Sequence, residues 1–297
     1  MMRDTLVLLA LRLLAALPLP VAQGLGWCVG SLAALFPNRE RKNAEVNVAL
    51  CFPQMPPGER RRFVRRALIE NARTLVESPR AWLRDPDRLL AKVDPQDGER
   101  QIRERLALGK GLIFAAPHLG NWEMGVHFLT RTTPTTVLYR PPRQRVLESV
   151  MVRGRGRDLA SVVPTDASGI RALYQALARG EAIAVLPDQQ PKEEGSAAVF
   201  APFFGEEALT MTLLPRLARK TGAAVLYVFV ERLPWGRGFR MHWLPAPDGI
   251  ADADSRVAAT ALNLGVERCV AICPTQYQWT YRRFKKRPGG LPNLYRR

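Results

Sequence analysis

The 297-residue chain is short of acid, of histidine and of cysteine, and its apolar runs end early. Twenty-seven Asp and Glu stand against forty-four Lys and Arg, a formal net charge of +17. That deficit points to an anionic partner: nucleic acid, phospholipid headgroups, or an acidic protein or substrate. A recognition module or basic-aromatic signature for nucleic acid is missing, which removes the first of these. Four cysteines in so long a chain make no disulfide framework, as suits a reducing, cytoplasmic-side environment. Cys269 and Cys273 are spaced i, i+4 in the apolar run Val266 to Ile272; with no nearby His or second Cys pair, they read as buried small hydrophobes rather than zinc ligands. Also lacking are a GxSxG elbow, a Walker GxxxxGK[ST], an HExxH and a GxGxxG that opens a helix after a strand. Acyl-serine hydrolysis and nucleotide-driven chemistry therefore lose their usual signatures.

Hydrophobic residues at 47% match an ordinary globular chain, which excludes disorder and a multi-span membrane protein. The first forty residues are the most apolar, but Arg12, Pro18 and Pro20 cut them into stretches of about 13 to 16 residues, short of the roughly 20 that span a bilayer. They read as a kinked or hairpin helical anchor that lies in or dips into a membrane. A tilted single span and a cleaved signal peptide fit less well: no small-x-small site precedes Gly24, and the apolar character resumes after it. Arg39, Arg41 and Lys42 follow, as expected of a segment facing anionic headgroups. The expected division is an anchor over 1–40 and a catalytic domain over 41–297.

Residues 58–84 carry apolar positions at helical spacing, among them Phe63, Ala67 and Leu68, with Arg61, Arg62, Arg65 and Arg66 between; the helix is either solvated or lies near a membrane. From Gly111 the texture changes to GLIFAAPHLG, an apolar strand leading into a helical pattern. Thr136 to Tyr139, Ala182 to Leu186 and Ala224 to Val230 are further strands, and Gly169 to Ala178 and Thr210 to Lys220 further helices. The alternation predicts an α/β sandwich with a mixed or parallel, largely buried sheet. Thr135 to Thr165, which contains PPRQR and RGRGR, is expected to be mostly an irregular, basic, ligand-facing segment.

Of three histidines, His127 falls in an apolar helical pattern and His242 in a strand, Arg240 to Leu244; both read as packed or solvated residues. His118 follows an apolar strand and precedes Leu-Gly-Asn-Trp-Glu, where Asn121 is a plausible N-cap for the helix holding Glu123. A base at a strand end beside a helix start is where an open α/β sheet places its ligand crevice. Glu123 in the first helical turn suits an anion and is expected to return to the His118 imidazole, giving a base and its orienter. Such a pair without its own nucleophile suits direct transfer: His removes the proton of an acceptor hydroxyl that attacks an activated acyl carbonyl. Arg153, Arg155 and Arg157 of RGRGR supply positive charge for the oxyanion or for phosphate.

PHLGNWE, YRPP at Tyr139 to Pro142, LPDQQP at Leu186 to Pro191, VFAPFFG at Val199 to Gly205 and the closing PTQYQWTYRRFKKRPGGLPNLY together resemble the late acyltransferases of lipid A biosynthesis, of the Kdo-lipid IVA lauroyl/myristoyltransferase type. The likeness runs over almost the whole chain. It implies a glycerolipid-acyltransferase-like sandwich, an acyl carrier protein donor, a lipid A precursor as acceptor, a monotopic position among phospholipids on the cytoplasmic face of the inner membrane, and no metal or other cofactor. It further implies His118 and Glu123 as the catalytic pair, with Asp188 and an arginine, Arg155 or Arg157, at the site. Asn121, Arg140, Asp188, Arg282 and Arg283 lie in the same motifs and are assigned to the substrate, Asp188 ordering either the acceptor or that arginine. The family commonly reads Trp-x-His-Arg-Arg-Phe-Lys where this chain has Tyr281, which keeps an aromatic body but loses a group titrating near neutrality. A different polar-lipid acceptor, such as a lysophospholipid or amino-acid lipid, is the alternative.

Overall fold

Leu112–Ala115 and Ala182–Val185 read LIFA and AIAV and are buried at every position, the pattern of parallel strands covered on both faces. A computed structural model, describing residues 2–142, 144–191, 194–195 and 197–296, shows what covers them. Nine strands run β1 (Val93–Asp94), β2 (Leu112–Ala115), β3 (Thr135–Tyr139), β4 (Ala160–Pro164), β5 (Ala182–Val185), β6 (Ala198–Phe203), β7 (Glu206–Met211), β8 (Ala224–Arg232) and β9 (Phe239–Pro245). Eleven helices run α1 (Met2–Ala16), α2 (Leu19–Leu35), α3 (Arg39–Cys51), α4 (Pro57–Leu83), α5 (Pro86–Leu90), α6 (Gly98–Leu106), α7 (Trp122–Thr132), α8 (Arg145–Arg155), α9 (Ala167–Ala178), α10 (Leu213–Thr221) and α11 (Ser255–Ile272).

Seven strands form one sheet in the order β1-β9-β8-β2-β5-β3-β4, parallel except where β9 pairs antiparallel with β8; β6 and β7 form a separate hairpin. Ile113 lies opposite Ile183 and Val225. Alternate side chains then divide between two cores. Ile113, Ala115, Ile183 and Tyr227 face the side covered by α9, α10 and α11; Leu112, Phe114, Ala184 and Leu226 face α6 and α7. Each fully buried Leu, Ile or Phe contributes ~1.5–3 kcal/mol relative to exposure, so Leu112, Ile113, Phe114, Ile183 and Leu226 anchor the centre of the sheet.

The expected sandwich is present, with three local differences. Thr135 to Thr165 is not irregular: β3, α8 and β4 fill it, and RGRGR ends α8 because its apolar partners Val146, Leu147, Val150 and Met151 recur at helical spacing. Thr210 belongs to β7, and α10 starts only at Leu213. Cys269 is in α11 but Cys273 caps it, and burial of both in the apolar core pushes their thiols up, that of Cys273 to about 12.

The N-terminal apolar run is two helices, each packed on one side only. Ala22, Gly26 and Gly30 of α2 meet α4 so closely that a Cβ on Gly30 would lie 2.4 Å from the Ile69 backbone. Arg80 and Arg84 of α4 donate to the last carbonyls of α1, closing its C-terminus. Outward, Leu6, Leu9, Leu13, Val21, Trp27, Leu32, Leu35 and Phe36 are exposed. Among the described residues no single helix is long and apolar enough to cross a membrane; α2 with α3, bent by 79°, meets that length and composition only as a pair.

Candidate active site

His118, Arg140 and Asp188 follow the C-terminal ends of β2, β3 and β5, three neighbouring parallel strands, and this edge is where an open α/β sheet opens its crevice. Gly120 makes the turn after His118 possible. Its φ of +63° and a Val230 carbonyl oxygen 1.9 Å from where a Cβ would stand leave room for no side chain. Asn121 N–H then donates to Val230 O (2.8 Å) and its side chain caps α7 at Met124 N (3.3 Å), as the spacing predicts.

The partner of His118 is Asp188, not Glu123. Nδ1 lies 2.8 Å from Asp188 Oδ1, and the His118 backbone N–H donates to Oδ2 at 3.1 Å. Nε2 faces the Gln189 amide nitrogen at 3.2 Å, and the same nitrogen donates to Gln278 Oε1 at 3.1 Å. The Asp188 carboxylate, which can only accept, holds the proton on Nδ1 and leaves the Nε2 lone pair to the amide, the tautomer of a ready base. Trp122 lies edge-on to the ring with centroids 5.0 Å apart. Burial raises the Asp188 carboxyl, but the charge and hydrogen bonds of His118 outweigh it and hold it below the usual carboxylate range. Among the described residues no hydroxyl or thiol hydrogen-bonds to His118.

Glu123 points elsewhere because α8 brings Arg155 to it: Nε donates to Oε2 at 2.9 Å and Nη2 to Oε1. Burial pushes this carboxyl up, yet the Arg155 charge and fork hold it below its ordinary value. Among the described residues Arg155 Nη1 has no hydrogen-bond partner. Arg157 separates from Arg155 in role, donating to the Arg84 and Trp82 carbonyls at the end of α4.

The residues assigned to substrate also part company. Asn121 is buried and its amide donates to Glu77 Oε2 (2.8 Å), within a sealed cluster in which Arg232 binds Glu77, Glu70 and Thr74. Arg283 is buried and donates to Leu209 O (2.7 Å) and Thr210 Oγ1 (2.9 Å). Both residues belong to the framework and offer no surface to a ligand. Arg140 is exposed and close enough to act electrostatically on Tyr281, while Arg282 lines a recess described below. His127 is buried with Nε2 on Ala81 O, and His242 pairs with Glu231, so neither reaches the crevice. Gln189 and Gln278 were not singled out by sequence: amides do not titrate and leave no spacing pattern, although both stand in motifs already quoted.

A sequence model described as "Bacterial lipid A biosynthesis acyltransferase" matches residues 1–286. The chain belongs to that family. It is 33% identical over 286 residues to the lipid A biosynthesis lauroyltransferase of Escherichia coli K12, covering 96% of this chain and 92% of the relative. The palmitoleoyltransferase of the same organism is 32% identical over 280 residues (94% and 90%), and its myristoyltransferase 24% over 272 (91% and 82%). Of the three histidines, His118 is the one at the strand-end crevice.

Proposed function

We propose that the protein transfers a fatty acyl chain from an acyl carrier protein thioester to a hydroxyl of a lipid A precursor of the Kdo-lipid IVA type, with His118 as general base. One observation carries this reading: Asp188 binds Nδ1 while Nε2 faces the crevice beside a displaceable amide, with no nucleophile on the imidazole among the described residues. The acceptor hydroxyl takes the place of the Gln189 amide at Nε2 and passes its proton there as its oxygen attacks the thioester carbonyl carbon. Asp188 stabilises the imidazolium. Arg155, clamped by Glu123, turns Nη1 to the developing oxyanion. As the C–S bond breaks, Nε2–H protonates the leaving sulfur, giving an ester and the carrier thiol.

The net charge of +17 suits an acidic donor protein and anionic lipid. The exposed leucines of α1 and α2 support a monotopic seat on the cytoplasmic face of the inner membrane, apolar face down, with Arg39, Arg41 and Lys42 at headgroup height. The test is expression in a Gram-negative strain lacking a late acyltransferase, followed by mass spectrometry of its lipid A. One added acyl mass is expected with the wild type and none with His118→Ala. Unchanged lipid A together with a new acyl mass on a lysophospholipid or amino-acid lipid would move the acceptor to that class.

A further inference from the structure

Beside the crevice, a recess of about 300 Å³ is lined by Arg39, Asn43, Gln190, Thr280, Tyr281, Arg282 and Lys285. We propose that it is a phosphate subsite, taking a phosphate monoester on the headgroup of the acceptor lipid. The inference rests on the lipid-acceptor reading above and names the group by which that lipid is held.

Charge is the first argument. Arg282 and Lys285 have no side-chain partner among the described residues, and Arg39 is offset only by its exposed neighbour Glu40. Among the described residues no carboxylate lines the recess. Two unpaired cations that converge on one concavity suit a doubly charged oxyanion, and a guanidinium fork matches phosphate geometry. Arg283 shows the alternative fate of an arginine in the same strap: it turns inward and satisfies framework oxygens, whereas its neighbour Arg282 is left facing the recess.

Rigidity is the second. Trp279, fully buried, packs edge-on against Tyr277 and Phe52, and Asn47 Nδ2 donates to the Trp279 and Tyr281 carbonyls, each at 2.6 Å. Asn43 Nδ2 donates to Thr280 O at 2.9 Å. The C-terminal strap is thereby pinned to α3, and the backbone that carries the two cations is fixed before any ligand arrives.

Position is the third. The Gln190 N–H donates to Tyr281 Oη at 2.9 Å, and the preceding residue, Gln189, is the one that faces His118 Nε2. On the other side Arg39 opens α3 only three residues after Phe36, where the exposed apolar end of α2 stops. A ligand here has its charged end between an apolar surface and the base, which is the layout of a lipid headgroup and not of a soluble donor.

The test titrates the full chain, in uncharged detergent, with dodecyl phosphate and with its methyl ester, dodecyl methyl phosphate. The monoester should bind about tenfold or more tightly than the diester, and Arg282→Gln and Lys285→Gln should each weaken the monoester about tenfold, the range of a charge-assisted hydrogen bond, with unchanged melting temperature. Arg103→Gln, the same loss of charge on an exposed site of α6, should change binding less than about twofold. In acyl transfer to a phosphorylated lipid A precursor, both substitutions should raise KM for the acceptor, leave kcat and KM for the donor alone, and lose their effect on the dephosphorylated acceptor. Equal binding of monoester and diester, equal losses on both acceptors, or a shift in donor KM overturns the subsite. If the titration behaves as expected and no lipid acceptor is acylated, the subsite stands and the acyltransfer reading falls; active transfer with indifferent titration is the reverse.

Discussion

Two cation–carboxylate pairs stand at the strand-end crevice, and they are almost matched in burial. The Asp188 and Glu123 side chains are each 3% exposed, and their partners His118 and Arg155 14% and 12%. What separates them is the cation. Imidazole exists neutral at physiological pH and guanidinium does not, so the first pair can accept and return a proton while the second is a fixed dipole. Burial and opposite charge alone therefore do not mark a catalytic pair; a removable proton facing the crevice does.

The sharpest way to break the comparison is Asp188→Asn. It keeps the shape but lets Nδ1 accept a hydrogen bond, which puts the proton on Nε2 and disables the base, so kcat should fall by ~10²–10⁴ with melting little changed. A stable variant that retains near wild-type turnover would show that His118 does not depend on this carboxylate. Glu123→Gln should act through stability as well, since it strands the buried Arg155 charge; a loss of ~3–5 kcal/mol is expected in denaturant unfolding. Adding Arg155→Met to Glu123→Gln should restore much of that stability but not the activity. If the double variant is no more stable than the single one, the pair is not the framework it is taken to be.

The sequence reading names all four of these residues but neither pairing, for a physical reason. LIFA and AIAV report burial on both faces, and Asn121 reports the start of α7, because each signal is local. Glu123 lies five residues from His118 and so looks like its partner, whereas Asp188 lies seventy residues away and is brought near only by the pairing of β2 with β5. Sheet order is a long-range property that spacing does not encode. The family motif does include Asp188, but not which atom it meets. Arg155 and Arg157 could not be told apart by spacing, because α8 ends between them: Arg155 is its last residue and faces Glu123, while Arg157 lies past the Gly156 cap and turns to the end of α4. The same applies to Arg282 and Arg283, one lining a recess and one sealed in the core.

A weaker effect should appear in acid. Glu123 and Asp188 are both held below their ordinary values of 4.5 and 3.8: burial works upward, and the charge of Arg155 or His118 outweighs it. A carboxyl depressed by folding stabilises the protein above its unfolded pKa, and this contribution is lost as pH falls through the folded value. Melting temperature should therefore drop as pH falls below about 4.5, beyond the earlier loss expected from His127, whose imidazole is held below its ordinary value by burial. The Glu123→Gln/Arg155→Met variant should drop less steeply, having no depressed carboxyl at that position. Identical acid slopes for the two proteins would mean the depression of Glu123 contributes nothing.

The smallest expected effect concerns the other face of the imidazole. Gln189 donates to His118 Nε2 at 3.2 Å and to Gln278 at 3.1 Å, so in the resting protein an amide holds the position the acceptor hydroxyl must take. A neutral hydrogen bond of this sort is worth ~0.5–1.5 kcal/mol net, a factor of about two to twelve. Removing it with Gln189→Ala clears the way without touching the Asp188 side that sets the tautomer. The acceptor KM should then fall by up to that factor while kcat, measured at saturating donor and acceptor, changes only a few-fold. Asp188→Asn has the opposite signature, a loss in kcat with acceptor KM nearly unchanged, so the two substitutions separate the two nitrogens of one ring. Should Gln189→Ala instead cost a hundredfold in kcat, the amide would have to act on the reacting atoms themselves, and the contrast between a working and a waiting face of His118 would be wrong.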